Sequence, residues 1–185
     1  WREIPDIPHE ARLLGYGLDF GFAPDPAAIT AIYRWNSGYI LDELLYQQRL
    51  TNEQLAIHIN GLPKAPLVAD SAEPKSIEEL RQYGVRVIES EKGSDSVRAG
   101  IKHLQGLKIS FTSRSKNLKN EYENYAWKVD KKTGENLGIP DPNCENHLLD
   151  SARYGLWNLT KIIDHKEKRI LVRRNPLRPR VNIAL

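Results

Sequence analysis

The chain of 185 residues has a single cysteine, Cys144, and no methionine. One thiol excludes an intrachain disulfide and any zinc site built on cysteines. A reducing compartment fits this usage without being required by it. A nucleophilic role for Cys144 needs a positioned base, so it reads as a bystander. No apolar run approaches the ~20 residues that span a bilayer, so no membrane partner is expected. The start, Trp1-Arg2-Glu3-Ile4-Pro5, lacks both the basic and the apolar stretch of a signal peptide. A missing initiator methionine is what a fragment excised from a longer protein is expected to show. Also absent are a Walker loop, a G-x-S-x-G elbow, an H-E-x-x-H helix and an EF-hand loop. Those absences exclude the commonest phosphate-cradling, acyl-transfer and zinc or calcium designs.

What is present fits one globular domain over residues 1–185, with a core at about 12–160. Hydrophobic residues make up 40% and charged residues 28%, an ordinary balance for a soluble protein. The net charge of +3 is unevenly spread. Residues 165–185 carry Lys166, Lys168, Arg169, Arg173, Arg174, Arg178 and Arg180 against Glu167 alone, so the remainder is net acidic. This basic tail suits either contact with a polyanion or a solvated, flexible terminus.

Residues 13–20, 28–34 and 39–46 read as three strands in an antiparallel meander, the second turn being Asn36-Ser37-Gly38. In the third strand Ile40, Leu44 and Tyr46 alternate with Asp42. Thr51-Asn52-Glu53-Gln54 is a capping box opening a helix that stops near Gly61. Short strands are expected at 66–69, 85–88 and 107–112. Helices are expected from a second capping box at Ser76-Ile77-Glu78-Glu79 to Gly84, and with Val97, Ile101 and Leu104 on one face. A further helix covers about 117–125, a hairpin turns at Lys131-Lys132-Thr133-Gly134, and a closing helix spans about 146–158. This order predicts an α/β fold, a mixed sheet with helices on both faces.

Acids at the ends of apolar strands are the chemical signal. Asp19 sits within Gly17-Leu18-Asp19-Phe20-Gly21, and Asp70 follows Val68-Ala69. A desolvated carboxylate needs a compensating cation or hydrogen bonds. A pair of divalent metals supplies the first, since Mg²⁺ and Mn²⁺ prefer hard oxygen ligands and serve phosphodiester hydrolysis. A turn cap or an arginine partner supplies the second, and both readings stay open. On the closing helix, His147, Asp150 and Tyr154 fall on one face.

These segments carry a resemblance. GLDFGFAPDPAAI at 17–29, ADSAEPKSI at 69–77 and NHLLDSARYGL at 146–156 resemble, in order, the three acidic motifs of large terminase nuclease domains from tailed phages. ESEKGSDSVRAGI at 89–101 and SKNLKNEYENYAWK at 115–128 are also similar to that family, and the likeness runs over about 14–157. The middle motif, with Asp70 and Ser71-Ala72-Glu73-Pro74-Lys75, is the most specific. The resemblance implies a ribonuclease-H-like fold whose acidic triad holds two divalent cations, Mg²⁺ or Mn²⁺, and cuts double-stranded DNA during viral genome packaging. Carried over, Asp19, Asp70 and Asp150 are the metal ligands and catalytic acids. His147 matches a histidine beside the third acid, either a proton shuttle or a surface residue that orders Asp150. The implied partners are an ATPase motor domain, whose motifs are missing here, a portal and a small terminase subunit, in the cytoplasm of an infected bacterium.

Other residues carry weaker expectations. Asp25 and Glu73 are read as structural, and Asp95 as the cap of the helix carrying Val97. Tyr125 and Trp127 are expected to pack under the hairpin. Lys131 and Lys132 suit either phosphate contact or solvent. The competing functions are a resolvase or integrase core and a non-catalytic docking module of the packaging motor, in which the three acids have no reason to converge.

Overall fold

Alternating β-branched and aromatic residues build the centre of the sheet. In the computed structural model, which describes residues 1–91 and 96–174 with side chains to 162, strand β1 is Arg2–Ile4, followed by β2 Arg12–Asp19, β3 Ala27–Trp35 and β4 Gly38–Gln47. The meander is antiparallel as expected. Its tight β3–β4 turn places Asn36 and Ser37 at φ 44° and 59°, the left-handed pair that suits the twist of a two-residue hairpin. Helix α1 (Asn52–Asn60) opens on the expected capping box, Thr51 Oγ1 accepting from the Gln54 amide and Gln54 Oε1 accepting from the Thr51 amide. Then follow β5 Leu67–Ala69, α2 Pro74–Gln82, β6 Val87–Glu89, α3 Ser96–Gln105, β7 Ile109–Thr112, α4 Lys116–Asn124, the hairpin β8 Trp127–Val129 and β9 Asn136–Pro140, and α5 His147–Arg174.

The seven-stranded sheet has the order β1-β7-β4-β3-β2-β5-β6, and β8 and β9 form a separate ribbon. Within the seven-stranded sheet, all pairs outside the meander are parallel. Two apolar layers flank the sheet. On one face Leu18, Ile29, Leu55, Ile59, Ile77 and Leu80 pack beneath α1 and α2. On the other, Ile32, Leu41, Phe111, Leu118, Leu148 and Leu156 pack beneath α4 and α5. The α/β architecture with helices on both faces is therefore as expected. No helix among the described residues is long and apolar enough to cross a membrane.

Several local expectations fail, each for an identifiable reason. Helix α2 starts at Pro74 rather than at a capping box on Ser76, because proline's fixed φ and missing N–H suit the first helical position. In β4 the pairing shifts between Ile29↔Leu45 and Thr30↔Glu43, leaving Leu44 as a bulge. Leu45, not Leu44, therefore enters the core. Asp42, read as alternating with Ile40, Leu44 and Tyr46, is only 1% exposed. Helix α3 buries Leu104 as expected but turns Val97 to solvent at 41% exposure, with Gly100 buried in its place. At Gly100 an added Cβ would stand 2.7 Å from Arg153 Cδ, so the missing side chain makes room for that arginine. Strand β1 has one buried residue, Ile4, too brief a pattern to be read. Helix α5 is far longer than the 146–158 expected, running through Ile170, Leu171 and Val172. No proline interrupts it before Pro176. The Asp95 cap and tail residues 175–185 fall outside the described residues.

Helix α4 lacks a cap from its own Ser115, whose hydroxyl accepts from the Glu43 amide. Glu43 supplies the cap from β4, its Oε2 accepting from the amides of Asn117 (2.9 Å) and Leu118 (3.1 Å). A carboxylate there satisfies orphan N–H groups and complements the helix dipole.

Candidate active site

Parallel pairing of β2 with β5 sets the first two acids side by side. Tyr16, Gly17 and Leu18 pair with Leu67, Val68 and Ala69. Asp19 and Asp70 thus end neighbouring strands at the same level, and the Asp70 amide donates to Leu18 O at 3.3 Å. The Asp70 carboxylate turns onto its own loop, Oδ1 accepting from the Ala72 amide at 3.0 Å.

The third acid arrives on α5, which lies directly on β2 and β3. A Cβ at Gly17 would stand 1.8 Å from the Ser151 carbonyl oxygen, and one at Gly155 would stand 2.3 Å from Ile32 Cδ1. Only glycines permit so close an approach. Ser151 Oγ accepts from the Thr30 amide (3.0 Å) and Thr30 Oγ1 donates to Leu148 O (3.3 Å), which sets the helix's position along the strand. Asp150 and His147 are thereby held over the ends of β2 and β5.

Asp19 and Asp150 each meet a basic side chain. His147 Nδ1 lies 3.1 Å from Asp19 Oδ2, with both side chains about 15% exposed, and its Nε2 lies 3.8 Å from Asp25 Oδ1. His147 therefore orders Asp19, not the Asp150 expected of a surface histidine. Arg153, nearly buried, binds Asp150 Oδ1 through Nε at 3.1 Å and Nη2 at 3.0 Å. It also stacks 4.5 Å over the Tyr154 ring.

These partners do not balance the site. Burial, opposed by the His147 hydrogen bond and reinforced by Asp150 and Asp70, pushes the Asp19 carboxyl up to about 6. Burial also raises Asp150 against the pull of Arg153, with Asp70 adding repulsion. The hydrogen bond to Asp19 raises His147 despite its burial, and the charges of Asp19, Glu121 and Asp25 add to this. Three carboxylates, electrostatically coupled and short of positive charge, make a hard-oxygen donor set. Among the described residues no three His, Cys, Asp or Glu side chains are already gathered as ligands around one point. The expected close convergence of the carboxylates is corrected accordingly: Asp19 is drawn toward His147 and Asp150 toward Arg153. The donor set still fits divalent cations, which Asp19, Asp70 and Asp150 would have to turn toward one another to hold.

Three further residues border the site, none singled out from the sequence. Arg153 lies three residues after Asp150, on the same helix face, and that spacing was the available signal. Tyr46, at the end of β4, holds its ring 6.4 Å from that of His147. Its phenol is pushed up by burial and by the Glu121 and Glu145 carboxylates. Glu121 of α4 is 1% exposed, and burial pushes it up to about 7. Its signal was an acid three residues after the buried Leu118, at a position where an amphipathic helix carries an apolar residue.

The weaker expectations divide. Asp25 reaches the edge of the site through His147. Glu73 is the N-cap residue of α2 and accepts from the Ser76 hydroxyl at 3.5 Å. Tyr125 and Trp127 meet edge to face at 6.2 Å. Beside Asp150 and Arg153 they line a 420 Å³ cavity with Trp1, Ile101 and Tyr122. A larger cavity of 740 Å³, at the opposite ends of β5 and β6, is lined by no acid or histidine and has no part in this chemistry. Cys144 donates to the Asn124 carbonyl. Lys131 and Lys132 are exposed at the hairpin tip, where the Lys132 amide donates to Asp130 Oδ1.

Comparison with known proteins identifies the family. The family model described as a terminase RNase H-like domain matches residues 19–157. The large terminase subunit of Bacillus phage SPP1 is 36% identical over 149 residues, 75% of this chain and 34% of that protein. The PBSX phage terminase large subunit of Bacillus subtilis is 31% identical over 157 residues, 82% of this chain and 35% of that protein. The chain thus spans about a third of the length of these relatives. Among solved structures, the nuclease domain of the SPP1 large terminase, with bound manganese, superposes with a TM-score of 0.69 at 27% identity. That match covers 84% of this chain and 94% of the SPP1 domain. The large terminase of the thermophilic bacteriophage D6E shares the fold, with a TM-score of 0.66 at 23% identity over 85% of this chain and 42% of its own. By fold and by sequence, the chain belongs to the ribonuclease-H-like domain family of large terminases.

Proposed function

We propose that this domain is a divalent-metal-dependent endonuclease that hydrolyses phosphodiester bonds of double-stranded DNA during viral genome packaging. The observation that carries this reading is the placement of Asp19 and Asp70 on adjacent parallel strand ends beneath the helix bearing Asp150. The manganese in the related SPP1 nuclease domain supports a divalent cation as cofactor. Asp19, Asp70 and Asp150 would hold two Mg²⁺ or Mn²⁺ ions. When bound, such ions polarise the phosphate, lower the pKa of water and stabilise the leaving oxygen.

The chain's own residues do the rest. Arg153, held within 3.1 Å of Asp150, limits how far that carboxylate swings. His147 is the group placed to take or return a proton. Its bond to Asp19 keeps one ring nitrogen engaged, while Nε2 faces the exposed rim at Asp25. In the whole protein the domain would act with an ATPase motor, a portal and a small terminase subunit, in the infected cell's cytoplasm.

The test is cleavage of supercoiled plasmid by the isolated domain with Mn²⁺ or Mg²⁺ and without ATP, beside Asp19→Ala and Asp70→Ala. Loss of activity on the order of 10³-fold is expected in both, the scale of losing electrostatic stabilisation of the transition state. Undiminished cleavage by both variants would reject the triad. A calorimetric Mn²⁺ titration with no binding would reject the metal.

A further inference from the structure

Two glutamates do the same work on successive elements. Glu43 of β4 accepts from the first-turn amides of α4. Three residues beyond Leu118 on that helix, Glu121 Oε2 accepts from the Leu149 amide at 3.0 Å. Leu149 lies in the first turn of α5, between His147 and Asp150. The acceptor comes from 28 residues away in the chain. Glu121 is almost wholly buried and its Oε1 has no hydrogen-bond partner among the described residues. A buried carboxylate with half its capacity unused is a poor choice for stability alone. Leucine there would extend the layer formed by Leu118, Leu148 and Phe111.

We propose that Glu121, itself held by the Glu43-capped helix, is the positioning residue that sets where the first turn of α5 places His147 and Asp150. The inference rests on the nuclease reading above. It differs from a simple packing role in what it fixes. Ser151 and Gly17 set the distance between α5 and the sheet, whereas Glu121 anchors the end of the helix that carries the chemistry. Among the described residues, Glu121 is the side chain that accepts from an amide of that first turn. The Asp150 amide donates locally, to the Asn146 carbonyl, and Thr30 Oγ1 reaches the Leu148 carbonyl, an acceptor rather than an amide of that turn.

The experiment compares wild type with Glu121→Ala, Glu121→Gln and Glu121→Asp in plasmid cleavage and in hydrogen exchange of the Leu149 amide. Glutamine keeps an acceptor at the same reach, alanine removes it, and aspartate keeps the charge but withdraws it by one methylene. Glu121→Ala and Glu121→Asp should lose at least tenfold in kcat with KM for DNA within twofold, and exchange at Leu149 should speed up at least tenfold. Glu121→Gln should restore most of both. If Glu121→Ala does not fold by circular dichroism, Glu121→Asp decides. Glu43→Ala should reproduce a weaker form of the same loss, and combining it with Glu121→Ala should cost little more than Glu121→Ala alone. Wild-type kcat in a folded Glu121→Asp, unchanged Leu149 exchange, or additive losses in the double variant would overturn the proposal. Inactivity of the wild-type domain would instead reject the nuclease reading, and the exchange data would still judge the cap.

Discussion

The two faces of the sheet are built from different materials. On the face covered by α1 and α2 the buried layer is Leu18, Ile29, Leu55, Ile59, Ile77, Leu80 and other apolar side chains. Asp42, the cross-strand partner of Ala31, is a buried charge there, held by Thr112 and Arg114. Beneath α4 and α5 a comparable apolar layer is interrupted by the buried polar residues Thr30, Glu121, Ser151, Arg153 and Asn158. Burying apolar area stabilises without specifying direction, whereas each buried polar group must meet its partner at hydrogen-bond geometry. The first face is therefore a foundation. The second spends stability on aim, as active sites do.

Substitutions that separate stability from chemistry sharpen this contrast. Ile77→Ala, under α2, should cost about 2–5 kcal/mol of unfolding free energy, the usual range for a large core truncation. Cleavage by its folded fraction should be unchanged. Gly17→Ala, under α5, should cost about 3 kcal/mol through overpacking and also abolish cleavage, because Ser151 and with it Asp150 must move. Chemical denaturation beside plasmid cleavage reads both, and a fully active Gly17→Ala domain would erase the distinction.

His147→Ala should do the reverse. Cleavage should fall on the order of 10²-fold, the lower range for a lost acid–base group. Stability should hold within ~1 kcal/mol, and Mn²⁺ binding by calorimetry should persist at Asp19 and Asp70. An unaltered rate from pH 5 to pH 9 would remove His147 from the chemistry.

Asp19→Asn tests the electrostatic cost of the second face. The folded carboxyl titrates near 6 against an ordinary 3.8. Its stabilising contribution is therefore complete below about pH 4 and is lost as pH rises through 6. His147, also raised, shifts stability in the same direction. With chelator present, wild-type stability should fall between pH 4 and pH 8, and Asp19→Asn should recover about 2 kcal/mol at pH 8. Saturating Mn²⁺ should close that gap in the wild type only. Parallel melting curves for the two proteins across this range would show that Asp19 bears no such cost.

The smallest effect is expected at the hairpin tip. Lys131→Gln with Lys132→Gln should lower DNA affinity by a few-fold at low salt and flatten the salt dependence of binding by at most about two phosphate contacts. An unchanged salt slope would return both lysines to solvent.

Much of the fold was legible because local rules point one way. The meander, the capping box at Thr51–Gln54, the hairpin tip and the parallel strands β5, β6 and β7 lie near their expected places. The errors arise where a neighbour overrules the pattern. Pro74 displaced the start of α2, the bulge at Leu44 reversed the facing of β4 beyond it, and Arg153 turned α3 about Gly100. In the candidate site, the motif acids and His147 were legible through their resemblance to a family. Arg153 and Glu121 were not, since a lone arginine or glutamate on a helix reads as solvated surface.

Asp19 and Asp42 mark where sequence stops and tertiary structure begins. Each is an acid within an apolar strand, and composition and periodicity by themselves determined that much, along with the layers around them. Asp42 is met by Thr112 Oγ1 at 2.6 Å and by Arg114 at 2.7 Å, the latter 72 residues away, and becomes a structural ion pair. Asp19 is met by His147 from 128 residues away and left beside Asp70 and Asp150, unbalanced. Only the fold decided between them, because the cost of burying a charge depends on the groups that surround it, and those groups come from distant parts of the chain.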